Sequence, residues 1–187
     1  KSSIEKKVHF VFGADNGNYA EGVTAAPQYF TNFLMRGYAS GKKCGINVLC
    51  EYNHVDLRLV DMGIIGEIED PHIYNRRLMP NGTNDFYKER AMSREIALKA
   101  IEVGFEFAKA ASSEGYDIIG TGEVGMGNTS TAAACIMAAL GINNAEKAVG
   151  RGGGLSDEAF ENKKRVITAA LAMHEPDADD VVDILSK

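Results

Sequence analysis

The chain has 187 residues, enough for one α/β domain with a sizeable core. Its formal net charge of −6, with no basic block, argues against nucleic acid as a partner, and no apolar run approaches the roughly 20 residues that span a bilayer. Hydrophobic residues make up 45% and charged residues 25%, an ordinary globular balance; Cys44, Cys50 and Cys135 form no CxxC pair, so reduced cytoplasmic thiols are expected and a metal site is not.

In chain order, Val8 to Phe12 (VHFVF) is a β-branched and aromatic run ended by Gly13 and the turn-prone Asp15-Asn16-Gly17, a buried strand followed by a loop. Past Gly22-Val23-Thr24 and Pro27, the segment Tyr29 to Met35 reads as a helix. Gly45 to Cys50 reads as the end of a helix and Asp56 to Met62 as a strand. Ile73 to Pro80 holds a short strand before the turn Asn81-Gly82-Thr83-Asn84. Ser93 caps the clearest helix, which runs to Ala111 with Ile96, Ala97, Ala100, Ile101, Phe105 and Ala108 near i, i+3, i+4 spacing.

Tyr116, Ile118 and Ile119 then lead as a strand into a glycine-rich turn, Gly120, Gly122, Gly125 and Gly127, and an Ala-rich helix from Ser130 to Leu140 leads out. A second glycine-rich turn, Gly150 to Gly154, precedes a helix from Glu158 to Met173 for which Asp157 is the expected cap. A short helix, Ala178 to Leu185, follows. Strands alternating with helices predict a doubly wound, mostly parallel α/β sheet with helices on both faces, a Rossmann-like three-layer arrangement forming one domain or part of one.

A strand turning into a helix leaves backbone N–H groups and the positive end of the helix dipole facing open space, which suits an anion. Tight β–α connections need glycine anyway, so the turn alone leaves anion binding and a purely structural role both open. No Lys-Ser or Lys-Thr follows the glycines, which excludes a Walker loop, and GEVGMG has the spacing G-x-x-G-x-G, a poor dinucleotide fingerprint. The second turn, with Arg151 inside it and Lys163-Lys164 behind, would bracket a phosphorylated ligand if both turns lie at the carboxyl edge of the sheet. Glu123 would repel a phosphate and is expected to face another part of the ligand, a ribose hydroxyl being a suitable donor. Asp15 sits at a carboxyl strand end, where a simple turn-forming role is equally open. His9, His54, His72 and His174 show no spacing for a metal or a catalytic dyad and read as structural or surface residues.

GEVGMGNTSTAAA, continued by VGRGGGLSDEAFENKKRVI and preceded by FGADNG, EGVTAAPQYFT, GINVL and NGTNDF, resembles the nicotinate-nucleotide–dimethylbenzimidazole phosphoribosyltransferases of cobamide biosynthesis. The resemblance implies transfer of phosphoribose from nicotinate mononucleotide to an aromatic lower-ligand base, with no cofactor, in a cytoplasmic homodimer. It implies that Gly125, Gly127, Asn128 and Thr129, together with Gly152 and Gly153, hold the 5′-phosphate. Lys163 would neutralise its charge and Glu123 would hold the ribose. The family's general-base glutamate has no counterpart in these residues, so the expectation is a fragment of a longer enzyme that binds nucleotide and turns it over little or not at all. The alternative is a non-catalytic nucleotide-binding module or partner subunit. Two positions depart from the family's base-pocket pattern: Thr24 stands where serine is usual and Phe33 where glutamine is usual, which points to a less polar base such as a phenol or another benzimidazole. Asn16 stands in place of a usual histidine.

Overall fold

The computed structural model describes residues 3–41 and 44–187. They gather into two compact units: the described residues of Lys1–Ala14, Tyr29–Asn81 and Lys99–Val124 form one, and Asp15–Gln28, Gly82–Leu98 and Gly125–Lys187 the other.

The first unit is built on a four-stranded parallel sheet. Its strands are β1 (Lys7–Ala14), β2 (Val55–Gly63), β3 (Ile73–Asn75) and β4 (Ile118–Val124), in the spatial order β3-β2-β1-β4. Helices α1 (Phe30–Ala39) and α2 (Gly45–Tyr52) lie between β1 and β2 in the chain, and α3 (Arg94–Ser113) lies between β3 and β4. Alternation along β1 sorts the side chains to two faces. Val8 and Phe10 pack with Val60 of β2 against Val103, Phe107 and Ala111 of α3. Val11 packs on the other face with Leu59 and Val124 against Met35 of α1. Helices therefore cover both faces of a parallel sheet, as the alternating sequence pattern predicts. Strand order reverses direction between β1 and β4, and at such a switch point the carboxyl ends of the strands form a ligand-binding crevice.

Two sequence readings need correction here. Gly120 and Gly122 are strand residues and not part of the turn: β4 runs on to Val124, pairing Gly120 with His9 and Gly122 with Val11. The reason is the His9 ring, which lies over both glycines; a Cβ on Gly120 would meet Nδ1 at 2.5 Å and one on Gly122 would meet Nε2 at 2.8 Å. Gly45 opens α2 and does not close a helix, with Cys44 extended before it.

In the second unit a core of Val23, Phe86, Ala91, Ala133, Met137, Val149, Val166, Ile167 and Ala170 joins α4 (Asn128–Leu140) to α5 (Asp157–His174). Ser156, not Asp157, caps α5: its hydroxyl accepts the Ala159 N–H at 3.3 Å, and Asp157 becomes an acidic residue of the first turn, where the helix dipole favours it. Asp180 caps the last helix, α6 (Val181–Ser186), by accepting the N–H groups of Val182 and Asp183, and pairs with Arg94 at 2.8 Å. His174 has a structural role, as expected. Its Nε2 lies 2.7 Å from the Phe86 carbonyl, which can only accept, so Nε2 carries the proton. All three cysteines are free thiols, and burial pushes those of Cys50 and Cys135 up.

Candidate functional site

In the second unit the chain enters α4 through a compact turn. The Gly125 carbonyl accepts the Asn128 N–H at 3.0 Å, and Gly127, at φ +89°, precedes the helix in the left-handed region that glycine tolerates. The Gly127 carbonyl accepts the N–H groups of Ser130 and Thr131, and the Asn128 side chain accepts the Thr129 N–H at 2.8 Å. Part of the turn's donor capacity is thus used locally.

The second turn begins at Gly150. Arg151 is committed inside it: the guanidinium donates to the Leu155 carbonyl, pairs with Asp157, and stacks 4.7 Å from the centre of the Phe160 ring. Gly152 (φ +57°) and Gly154 (φ +98°) take left-handed backbone. A Cβ on Gly152 would come within 3.0 Å of the Thr129 hydroxyl and 3.6 Å of the Lys163 ammonium, so the absence of a side chain keeps that space open. Gly153 would meet nothing within 4 Å.

Lys163 joins the two turns. It is 0% exposed on α5, and its ammonium donates to the Thr129 hydroxyl at 2.7 Å and to the Gly150 carbonyl at 2.9 Å. Both acceptors are neutral. Among the described residues no carboxylate pairs with Lys163, and burial pulls its pKa below the ordinary lysine value. Its neighbour Lys164 is the opposite case: also buried, it pairs with Glu146 and Glu161, which hold its pKa up. A buried ammonium with two of its three donors satisfied, and no counter-charge among the described residues, has the chemistry to accept an anion.

The remaining predicted positions are distributed over both units. Glu123, in the first, is an exposed residue near the carboxyl end of β4, in register with Phe12. Phe33, on α1 of the same unit, is 58% exposed, with the Phe30 ring 5.5 Å away. Thr24, in the second unit, is half-buried between buried Val23 and the exposed Ala25. Asp15 is buried, and its carbonyl accepts the Thr83 N–H. The sequence reading missed Asn18 and Thr131. Asn18 is 0% exposed, donates to the Gly127 carbonyl at 3.2 Å and to Thr131, and belongs to an Asp-Asn-Gly-Asn run whose turn-forming composition conceals any other role.

A family model described as phosphoribosyltransferase matches residues 1–187. The chain belongs to that family. The nicotinate-nucleotide–dimethylbenzimidazole phosphoribosyltransferase of Clostridium tetani (strain Massachusetts / E88) is 42% identical over 187 residues, 100% of this chain and 51% of that protein. The protein of the same name from Geobacter sulfurreducens is 40% identical over 183 residues, 98% of this chain and 51% of its own length. A crystal structure of CobT from Thermus thermophilus superposes with a TM-score of 0.85 at 32% identity, covering 91% of this chain and 51% of that one. This member of the phosphoribosyltransferase family spans about half the length of the curated relatives it matches. Among its described residues no helix is long and apolar enough to cross a membrane.

Proposed function

We propose that this chain contributes the phosphate and ribose contacts of an enzyme that moves phosphoribose from nicotinate mononucleotide to an aromatic base, the reaction in its relatives' names. The observation that carries the reading is the buried ammonium of Lys163, held between two glycine-rich turns by neutral acceptors alone among the described residues. A 5′-phosphate beside it would take the free donor and supply the missing negative charge. Gly125, Gly127, Asn128 and Thr129 would contact the phosphate from one turn, and Gly152 and Gly153 from the other.

With the phosphate fixed, the chemistry takes place at the anomeric carbon. The bond from that carbon to the nicotinate nitrogen breaks and its electron pair leaves with nicotinate. A ring nitrogen of the incoming base forms the new bond, and the proton on the base must pass to a general base. The ribose carries oxocarbenium-like positive charge at the transition state, and the Glu123 carboxylate would both accept its hydroxyls and favour that charge. Holding the phosphate through fixed donors removes much of the orientational entropy from the step. If, as the resemblance implies, the proton acceptor lies outside these residues, the 187 residues alone are expected to bind nucleotide and transfer slowly or not at all. Phe33, where a hydrogen-bonding side chain is usual, favours a less polar base. A cytoplasmic homodimer belongs to the same reading.

Titration of the chain with nicotinate mononucleotide tests this. Losing a charge-assisted contact weakens binding roughly 10- to 100-fold, so Lys163→Ala and Glu123→Ala are each expected to lose affinity on that scale. Lys164→Ala, whose charge is already paired, is expected to stay near wild type. Unchanged affinity in both Lys163→Ala and Glu123→Ala removes the site assignment.

A further inference from the structure

The turn before α4 is held from behind by three polar side chains to which the reaction above gives no part. Asn18 Nδ2 donates to the Gly127 carbonyl at 3.2 Å and to the Thr131 hydroxyl at 3.3 Å. The Thr131 hydroxyl donates its one proton to Asn16 Oδ1 at 3.1 Å, and Asn16 Nδ2 donates to the Met126 carbonyl at 3.2 Å. The relay starts and ends on backbone carbonyls, which only accept. Both amides are therefore fixed in orientation, because turning either over would set two acceptors against each other. Asn16 and Asn18 are both buried, so water does not compete for these bonds.

We propose that Asn16, Thr131 and Asn18 are positioning residues that aim the turn's backbone at the 5′-phosphate; this rests on the reading that the turn and Lys163 hold that phosphate. In a trans peptide the carbonyl and the N–H point in opposite directions. Holding the Met126 carbonyl toward Asn16 turns the N–H of the same peptide, that of Gly127, the other way. Asn18 also selects the backbone conformation. Its Oδ1 lies 2.1 Å from where a Cβ on Gly127 would be, so only glycine fits beneath it, at a φ that glycine tolerates. The relay thus determines which way one specific donor faces, without itself touching the ligand.

The test compares nicotinate mononucleotide with the same nucleoside lacking its phosphate, binding to wild type, Thr131→Val, Thr131→Ser and Lys163→Ala. Thr131→Val keeps the shape and removes the relay's central hydroxyl. It is expected to weaken mononucleotide binding about tenfold, the scale of one lost hydrogen bond, and to change nucleoside binding less than twofold. Thr131→Ser restores the hydroxyl and is expected to return mononucleotide affinity to within about threefold of wild type. If Lys163→Ala weakens the mononucleotide and Thr131→Val does not, the relay has no positioning role and the phosphate site stands. If Thr131→Val weakens both ligands equally and serine fails to rescue, the relay is merely structural and the inference is overturned. If Lys163→Ala changes nothing, the phosphate reading itself fails.

Discussion

The glycines of the first unit and those of the second are required for different reasons. Gly120 and Gly122 lie in regular strand β4 and accommodate a side chain of their own sheet, the His9 ring. Gly127 and Gly152 have left-handed backbone in turns and leave room beside Asn18, Thr129 and Lys163, the groups that shape or line the proposed phosphate site. The first pair serves packing; the second would serve the proposed cradle. Close spacing in the sequence, GTGEVGMG, conceals that boundary, which falls between Glu123 and Gly125.

Exchanging glycine for alanine on each side separates the two roles. Gly127→Ala adds a Cβ 2.1 Å from a buried amide oxygen and imposes left-handed backbone on an L residue. The two penalties together are expected to cost roughly 3 kcal/mol in urea unfolding, and the disturbed turn should lose nucleotide affinity about tenfold or more. Gly120→Ala meets a side chain that can rotate, in ordinary strand backbone. About 1–2 kcal/mol is expected there, with nicotinate mononucleotide affinity within twofold of wild type. Equal loss of affinity in both variants would erase the distinction.

The same contrast has a pH signature at Lys163. Burial lowers its folded pKa below the unfolded value of 10.5. Between the two values the unfolded chain binds more protons, so this lysine's contribution to stability rises with pH and is least favourable below the folded value. Relative to Lys163→Met, which cannot titrate there, wild type is expected to gain stability as pH rises through the range just below the unfolded value of 10.5, read from urea midpoints. Saturating nicotinate mononucleotide should flatten that slope by pairing the ammonium. A flat or falling difference without ligand would mean that the ammonium is not isolated.

What the sequence reveals follows the range of its signals. Strands β1 and β2 and the helical spacing of α3 are short-range patterns, and all three lie where the residues predict them. The extension of β4 through Gly120 is not legible, because glycine is punctuation to a local reading and the cause, His9, is more than a hundred residues away. Lys163 and Lys164 look alike as a charge pair on a helix. Only the fold separates them, giving one of them two carboxylates and the other a hydroxyl and a carbonyl. The resemblance singled out Lys163, but Asn18 carried no signal beyond turn propensity.

The smallest expected effect concerns the edge of the cradle. Ser130, in the first turn of α4, has a buried hydroxyl without a hydrogen-bond partner among the described residues. Such a group loses its hydration on folding and gains nothing in return, and alanine is the better helix former. Ser130→Ala is therefore expected to stabilise the chain by about 0.5–1 kcal/mol while leaving nicotinate mononucleotide affinity within twofold. The outcome sharpens the boundary between packing and cradle. Stabilisation with unchanged binding places Ser130 with Gly120 among the residues that only fill space. A tenfold loss of binding would instead make its hydroxyl a ligand contact, and the cradle would then extend one residue further into α4 than Thr129.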